Sequence, residues 1–152
     1  MKLVFEDAYN KFYLEFYGKY TQIIGESATG KTYLCDAMHK ACNRYIVKPE
    51  LYPYSLNDGK VFFINSKSDV LLVDQAKDTL DSVVVIDRAD FMLCTSPELV
   101  RLLQDTIKRR YVLIGRGRYD QYGIGISYAD TFVLKHKEID TGLLFYLAKE
   151  DA

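Results

Sequence analysis

The sequence predicts an α/β protein: a three-layer sandwich with a mainly parallel sheet of about five strands, plus an N-terminal antiparallel strand pair. Segments rich in β-branched and aromatic residues alternate with segments of helical period, which is typical of sheets with crossover helices. Residues 82–87 (SVVVID) have the continuous β-branched character of a central parallel strand that is covered on both faces. The 152 residues contain no repeat, linker or low-complexity tract, so we expect a single domain over 1–152.

The elements of this fold are expected in a regular order along the chain. Residues 11–24 are expected to form two strands around a turn at Gly18–Lys19, and the later strands are expected at 61–65, 82–87, 111–115 and 131–134. Helices are expected over about 31–45, 69–80 and 97–110, with a short helix or tail after the last strand. Ser96, Pro97 and Glu98 give the clearest helix start, because they supply a capping hydroxyl, a first-turn proline and an acid near the positive end of the dipole.

Composition excludes several functional classes. The 20 basic and 21 acidic residues give a net charge of -1, which does not attract nucleic acid or an anionic membrane. Apolar runs such as Val83–Ile86, with four residues, are far below the roughly 20 that cross a bilayer, and the N-terminal segment lacks the apolar core of a signal peptide. Three cysteines without a C-x-x-C pair argue against a disulfide framework or a zinc site. We therefore expect a cytoplasmic protein with no membrane partner.

The segment Gly25–Thr32 (GESATGKT) fits G-x-x-x-x-G-K-[ST], the Walker A phosphate-binding loop. Gly25 and Gly30 allow the chain to wrap so that consecutive backbone N–H groups point at an anion. The helix that begins near Lys31 adds its own unpaired N–H groups and its dipole. Lys31 supplies a positive charge for the β- and γ-phosphates, and Thr32 supplies a hydroxyl for Mg²⁺.

A second motif follows at Val83–Asp87 (VVVID), where four apolar residues end in an acid, as in a Walker B strand. Ligands in open parallel sheets lie outside the carboxyl ends of the strands. Asp87 is therefore expected to emerge beside the phosphate loop and to hold Mg²⁺, through a water molecule.

With both motifs in place, the chain resembles the P-loop NTPases over about residues 18–135. It is most similar to the division with an additional strand between Walker A and Walker B, which includes the AAA+, RecA-like and ABC ATPases; residues 61–65 would be that strand. The resemblance implies a Mg²⁺-dependent domain that binds and hydrolyses a nucleoside triphosphate, with ATP expected, and that drives or switches a protein partner or a second copy of itself. The nucleotide-binding residues it implies are Gly25, Glu26, Ser27, Ala28, Thr29, Gly30, Lys31, Thr32 and Tyr33.

The same resemblance implies a polar sensor of the γ-phosphate after the next strand, and Arg116 is the candidate. The expected catalytic residues are Lys31, Asp87, Asp90 and Arg116, with Thr32 and Asp87 as metal ligands. Two features depart from the family. Arg88 stands where a water-activating glutamate usually follows the Walker B acid, and Asp90, with Glu26 and Asp69 as alternatives, is the substitute. The 17 residues after Lys135 are too few for the helical lid of AAA+ proteins, and no L-S-G-G-Q-like segment is present.

Other interpretations remain open at this point. A nucleoside or nucleotide kinase is one, since Ile86–Phe91 loosely resembles the segment after Walker B in thymidine kinases, and the loop at 115–125 would be its lid. A hydrolysis-deficient, nucleotide-gated interaction module is another, supported by Arg88. Nucleic acid is a weaker expectation that rests on a basic cluster: Lys108, Arg109, Arg110, Arg116 and Arg118. Five tyrosines in predicted loops are expected mainly to pack around the rim of the core: Tyr52, Tyr54, Tyr119, Tyr122 and Tyr128.

Overall fold

The computed structural model describes residues 2–7, 10–24, 34, 36–37, 61–75, 83–104 and 109–149. Within these residues, eight strands form one sheet in the order β1-β2-β8-β7-β3-β6-β5-β4. The strands are β1 Lys2–Asp7, β2 Asn10–Glu15, β3 Tyr20–Ile24, β4 Val61–Ile64, β5 Val83–Ile86, β6 Arg110–Ile114, β7 Thr131–Ile139 and β8 Gly142–Ala148. The α-helices with printed bounds in this part of the chain are α1 Lys67–Gln75, α2 Ala89–Thr95 and α3 Pro97–Leu103. Leu34, Asp36 and Ala37 are also helical.

The predicted fold class is wrong, because the sheet is mixed and strongly curled into a half-barrel and is not the centre of a three-layer sandwich. Five neighbouring strands, β7, β3, β6, β5 and β4, run parallel to one another. The other pairings are antiparallel between β7 and β8, parallel between β8 and β2, and antiparallel between β2 and β1. The sheet therefore contains eight strands, where the sequence predicted a sheet of about five strands plus an N-terminal strand pair.

The C-terminal part of the chain explains much of this difference. Residues 131–149 were expected to hold one strand followed by a short helix or tail, but they form the hairpin of β7 and β8. Val133 lies opposite Ala148 at one end of the pairing, and Ile139 lies opposite Gly142 beside the turn. Gly142 has φ 153, a backbone conformation that glycine adopts readily, so it ends the turn without strain.

The N-terminal antiparallel pair also differs from the prediction, because it consists of β1 and β2 and not of two strands over 11–24. The Gly18–Lys19 segment does not close a hairpin; β8 and β7 lie between β2 and β3. Phe16 is buried, and the Lys19 carbonyl accepts a hydrogen bond from the Tyr111 N–H at 2.8 Å. Residues 16–19 therefore carry the chain across the sheet and start β3 beside β6.

Alternation along the central strands builds a core on each face of the sheet. Val83 and Val85 point to one face, and Val84 and Ile86 point to the other. The first face is filled by Phe12, Leu14, Phe16, Ile23, Leu34, Ala37, Val83, Val85, Val112, Ile114, Leu134 and Phe145. The second face is covered by α1, α2, α3 and the loop after β6, through Val70, Val73, Met92, Leu93, Leu99, Leu102, Leu103, Tyr119 and Ile124. The sheet is thus buried on both sides at β5 and β6.

The connection from β6 to β7 lacks the crossover helix that a three-layer sandwich requires. Residues 115–130, all of which are described, contain two short 3-10 turns, Asp120–Tyr122 and Tyr128–Asp130. The first turn is followed by Gly123 with φ 73, and the Gly123 N–H donates to the Asp120 carbonyl at 2.9 Å. The sequence predicted a loop between these two strands, and this loop packs on the second face of the sheet.

Candidate functional site

The carboxyl ends of β3, β6 and β5 form the edge at which the sequence predicts the nucleotide site. Ile86, Leu113 and Gln22 are in register across the three strands. Asp87, the next residue after Ile86, is therefore level with Ile23, and two strand spacings separate them by about 10 Å. The chain reaches Gly25 two residues after Ile23. The registry thus brings Asp87 to the same edge of the sheet as the carboxyl end of β3, after which the sequence continues into the Walker A segment.

The residues predicted to grip the nucleotide lie outside the described residues. They are Gly25, Glu26, Ser27, Ala28, Thr29, Gly30, Lys31, Thr32 and Tyr33. Their roles, including that of Thr32 toward Mg²⁺, stay predictions. Of the expected catalytic residues, Asp87, Asp90 and Arg116 are described, and all three follow the carboxyl ends of β5 and β6.

Asp87 is held at this edge by its backbone. Its side chain is half-buried, and its N–H donates to the Ile64 carbonyl at 2.9 Å, which extends the pairing of β5 with β4. A carboxylate is a hard oxygen donor of the kind that Mg²⁺ takes in proteins, usually one or two per site together with phosphate oxygens and water. The residue present thus fits the metal that the motif implies.

Arg88 begins α2 in a left-handed conformation, with φ 49 and ψ 52. Its Nη2 donates to the Asn65 carbonyl at 3.1 Å, and its guanidinium lies 5.6 Å from the ring centroid of Phe91. The Asn65 N–H in turn donates to Asp69 Oδ2 at 3.0 Å. Arg88 occupies the position of the usual glutamate, and Asp69 is one of the alternatives for its role. These contacts hold both residues at the end of β4.

Asp90 lies in the first turn of α2 and accepts hydrogen bonds from the loop after β6. The Arg116 N–H donates to Asp90 Oδ2 at 2.8 Å, and the Gly117 N–H donates to Asp90 Oδ1 at 2.7 Å. A Cβ at position 115 would lie 2.8 Å from Asp90 Oδ2, so glycine is required for the approach. A Cβ at position 117 would collide with Asp90 Oδ1. We call this arrangement of Asp90 with residues 115–117 the Asp90 clamp.

Tyr119 and Gln22 complete the network around the Asp90 clamp. The Tyr119 hydroxyl is hydrogen-bonded to the Asp90 carboxylate, and Gln22 Nε2 lies 3.4 Å from the Tyr119 hydroxyl oxygen. Gln22 Nε2 also donates to the Gly117 carbonyl at 2.9 Å. Burial and, after it, the nearby Asp90 charge raise the pKa of Tyr119 well above its ordinary value, because both disfavour a phenolate. The phenol therefore stays protonated as a donor to Asp90.

A cavity of about 470 Å³ opens between β3, β7 and the loop after β6. It is lined by Gln22, Ile24, Arg116, Gly117, Arg118, Tyr119, Asp120, Ile126, Tyr128 and Thr131. The cavity lies in the crevice beside β3. The strands β4, β5 and β6 lie on one side of β3, and the next strand in the chain, β7, lies on the other side. Crevices at such switch points are where open parallel sheets bind ligands.

The predicted basic cluster is divided in the structure. Arg109 is buried and its Nη2 donates to the Val73 carbonyl at 3.1 Å, while Arg110 Nη1 donates to the Tyr17 carbonyl. Both lie at the amino end of β6. Arg116 and Arg118 are exposed beyond its carboxyl end, about 16 Å away along a five-residue strand. The described arginines therefore do not form one continuous patch.

Reasoning from sequence missed three participants in this network: Gln22, Gly115 and Gly117. Glycine at both 115 and 117, on either side of Arg116, is a signal of close backbone approach that was available in the sequence. Gln22 offered a weaker signal, as a polar residue inside an otherwise apolar strand end. Tyr119 was expected only to pack at the rim, and its hydroxyl has a specific partner.

Comparison with known proteins adds no family: no protein-family model matches the sequence, and a search of curated proteins finds no match to it. In the part of the chain that the structure describes, no helix has the length and apolar character needed to span a membrane. Nor do three or more His, Cys, Asp or Glu side chains there come together as a metal-binding group.

Proposed function

We propose that this chain is a P-loop NTPase domain that binds a Mg²⁺–nucleoside triphosphate, with ATP as the expected nucleotide, and hydrolyses it to drive or switch a partner in the cytoplasm. The observation that carries the proposal is the registry of β3, β6 and β5. Asp87, the acid of the Walker B motif, follows β5 at the level of Ile23 in β3. The Walker A sequence begins at Gly25, two residues after Ile23.

The roles follow from charge and donor chemistry. Lys31 and the backbone N–H groups of 28–32 would hold the phosphates, and Thr32 and Asp87 would supply oxygen ligands to Mg²⁺, whose charge would offset that of the phosphates. Arg116 is placed by its backbone bond to Asp90 and offers a guanidinium to the γ-phosphate. Asp90 is the candidate water-orienting group. Both of its carboxylate oxygens already accept protein N–H groups, so it would orient water through the lone pairs that remain on these oxygens.

Calorimetry with ATP and GTP in the presence of Mg²⁺ tests the binding step. We expect uptake of a triphosphate by the wild type and loss of uptake in Lys31→Ala. Lys67→Ala is the matched control, since Lys67 is an exposed lysine at the start of α1 and should leave binding unchanged. Absence of uptake of both nucleotides at millimolar concentration would refute the proposal.

Phosphate release tests the chemical step. We expect turnover that stops when EDTA removes the metal and that falls at least about tenfold in Asp87→Asn, because the metal loses a charged ligand. Equal release by the wild type and by Lys31→Ala would show that the measured hydrolysis belongs to a contaminant and not to this site.

A nucleotide-gated module that binds without hydrolysis is the second candidate, and the contacts of Arg88 and Asp90 favour it. Arg88 occupies the usual glutamate position and contacts Asn65, and both oxygens of Asp90 accept protein N–H groups. Orientation of the attacking water is a large share of what such a protein contributes. Triphosphate binding that raises the unfolding temperature, together with turnover no faster than in buffer, would select this candidate.

A further inference from the structure

Apart from Arg116, the cavity beside β3 is lined by residues to which the triphosphate proposal gives no role. Its volume of about 470 Å³ lies within the usual range of small-molecule sites. It lies on the second face of the sheet, because Gln22 and Ile24 share that face with Tyr20, which packs against the core there. The described helical residues that follow the Walker A segment, Leu34 and Ala37, pack on the opposite face.

Both walls of the cavity are fixed by charged side chains. On one side, the Asp90 clamp holds the backbone of Arg116 and Gly117. On the other, Lys149 Nζ donates to the carbonyls of Tyr128 at 2.6 Å, Ala129 at 2.5 Å and Thr131 at 3.2 Å. The same ammonium lies 4.1 Å from the ring centroid of Phe132. A site whose walls are held in this way loses little entropy when a ligand enters.

The lining pairs two arginines with an aromatic ring. Arg116 and Arg118 are exposed, and with the carboxylate of Asp120 they give the lining a net charge of +1. Guanidinium groups match phosphate oxygens in geometry and bind them with two parallel hydrogen bonds. Tyr128 also lines the cavity and is 68% exposed, so its ring is accessible for stacking against a flat group.

We propose that this cavity binds a small phosphorylated ligand that carries a flat ring, the class to which the nucleoside monophosphates belong. Arg118 takes the phosphate, and the ring lies against Tyr128 and Ile126. Because the cavity lies on the face of the sheet opposite to Leu34 and Ala37, we place this site apart from the proposed triphosphate site, and it does not depend on the proposed hydrolysis.

Calorimetric titration of the full chain with AMP, GMP, CMP and UMP tests the proposal, with adenosine and ribose 5-phosphate as probes that lack the phosphate or the ring. We expect at least one monophosphate to bind with a Kd of about 1 mM or lower, and both incomplete probes to bind at least about tenfold more weakly. Binding should persist in Lys31→Ala and in the presence of a non-hydrolysable Mg²⁺–triphosphate.

Two exposed cavity residues and two matched controls locate the site. Arg118→Gln and Tyr128→Ala should each raise the Kd of the monophosphate at least about fivefold, because one removes a charged donor and the other a stacking surface. Arg101→Gln, at an exposed arginine of α3, and Tyr17→Ala, at an exposed tyrosine before β3, should leave the Kd unchanged. The thermal unfolding midpoint of each variant confirms that it is folded.

Three results would overturn the proposal: no monophosphate binds up to about 10 mM, ribose 5-phosphate binds as tightly as the nucleotide, or neither cavity variant changes the Kd. Displacement of the monophosphate by the triphosphate would also overturn it, since the cavity would then be part of the triphosphate site. Loss of triphosphate binding in Lys31→Ala with monophosphate binding intact would support two separate sites.

Discussion

Asp90 organises the loop after β6 through hydrogen bonds to its backbone, which is a different task from orienting water. Its two carboxylate oxygens accept from consecutive N–H groups, those of Arg116 and Gly117, and the Tyr119 hydroxyl is a third donor. Hydrogen bonds to an ionised acceptor are stronger than neutral ones. The carboxylate thereby couples the start of α2, directly after the Walker B acid, to the candidate sensor Arg116.

The Asp90 clamp leads to a test by a double-mutant cycle. Asp90→Ala should lower the free energy of unfolding by about 1–2 kcal/mol, because two charged hydrogen bonds at a solvent-exposed position are lost. Gly117→Ala should lower it by about 1–3 kcal/mol, since the new Cβ collides with Asp90 Oδ1. In the Asp90→Ala background the cost of Gly117→Ala should fall below about 0.5 kcal/mol. Urea unfolding of the four proteins measures the coupling.

Gly125→Ala is the matched control for this cycle, because a Cβ at position 125 meets no atom within 4 Å. Its effect on the free energy of unfolding should stay within about 0.5 kcal/mol in both backgrounds. Strict additivity of Asp90→Ala and Gly117→Ala would contradict the contact between the two residues.

Tyr119 gives the stability of the protein a dependence on alkaline pH. Its pKa is raised in the folded protein, so the unfolded chain loses the phenol proton first as the pH rises. The stability that Tyr119 contributes is therefore fully present below about pH 10, the ordinary tyrosine value, and declines above it. The gap in unfolding free energy between wild type and Tyr119→Phe should be largest below pH 9 and should narrow from pH 10 to 11. Urea unfolding at each pH measures it, and a gap that widens over that interval would contradict the assignment.

Among the elements, α2 is preceded by Arg88, a residue with a strained backbone conformation. Arg88 has φ 49, and a residue with a Cβ in the left-handed region costs about 1–2 kcal/mol relative to glycine. Arg88→Ala and Arg88→Gly both remove the bond to the Asn65 carbonyl, so their difference reports the backbone alone. We expect the glycine variant to be more stable than the alanine variant by about 1 kcal/mol in chemical denaturation. Equal stability would mean that residue 88 does not adopt this conformation in solution.

Local signals in the sequence identified several elements correctly, because those signals are satisfied within a few residues. The helix start at Ser96 is confirmed: its Oγ accepts from the Leu99 N–H at 3.3 Å, and Pro97 occupies the first turn. The run at 83–86 is confirmed as a strand whose four residues are all buried. The helix that begins at Pro97 ends at Leu103, and Arg110, which was expected to close it, lies in β6.

Long-range pairing could not be predicted in the same way. Whether residues 11–24 fold back as a hairpin depends on which strand β2 meets, and its partner β8 lies more than 120 residues away. The segment 135–138 (KHKE) breaks the apolar pattern of β7, so the strand was expected to end at 134. It continues to Ile139 because β8 pairs with it from Val133 to Ile139. Asp87 was placed at its sheet edge by strand polarity alone. The contacts of Asp90 could not be predicted, because they depend on the conformation of the loop after β6, and no sequence periodicity indicates that conformation.

For the molecule as a whole, β8 joins the N-terminal strand pair to the rest of the sheet. It pairs with β7 on one side and with β2 on the other, and Phe145 of β8 stacks on Phe12 of β2 with ring centroids 4.9 Å apart. Both rings are buried in the core of the first face. The attachment of β1 and β2 to the sheet thus depends on this strand.

Phe145→Ala should lower the free energy of unfolding by about 3–5 kcal/mol, since a buried ring is removed from the junction. Tyr146→Ala is the control from the neighbouring position on the opposite face, where the side chain is half-buried, and should cost less. Amide hydrogen exchange should show faster exchange in 10–15 than in 83–86 for the Phe145 variant. Uniform acceleration across the sheet would contradict a local role for the junction.

The parallel pairing of Asn10–Tyr13 with Leu143–Tyr146 has a consequence for biosynthesis. β1 and β2 have no place in the sheet until residues 142–148 have also emerged from the ribosome, so the two strands remain a separate ribbon while residues 16–141 are synthesised. Two-stranded ribbons are only marginally stable in water, and their open edges invite pairing with other chains. During that interval, the nascent chain is exposed to misassembly at this ribbon.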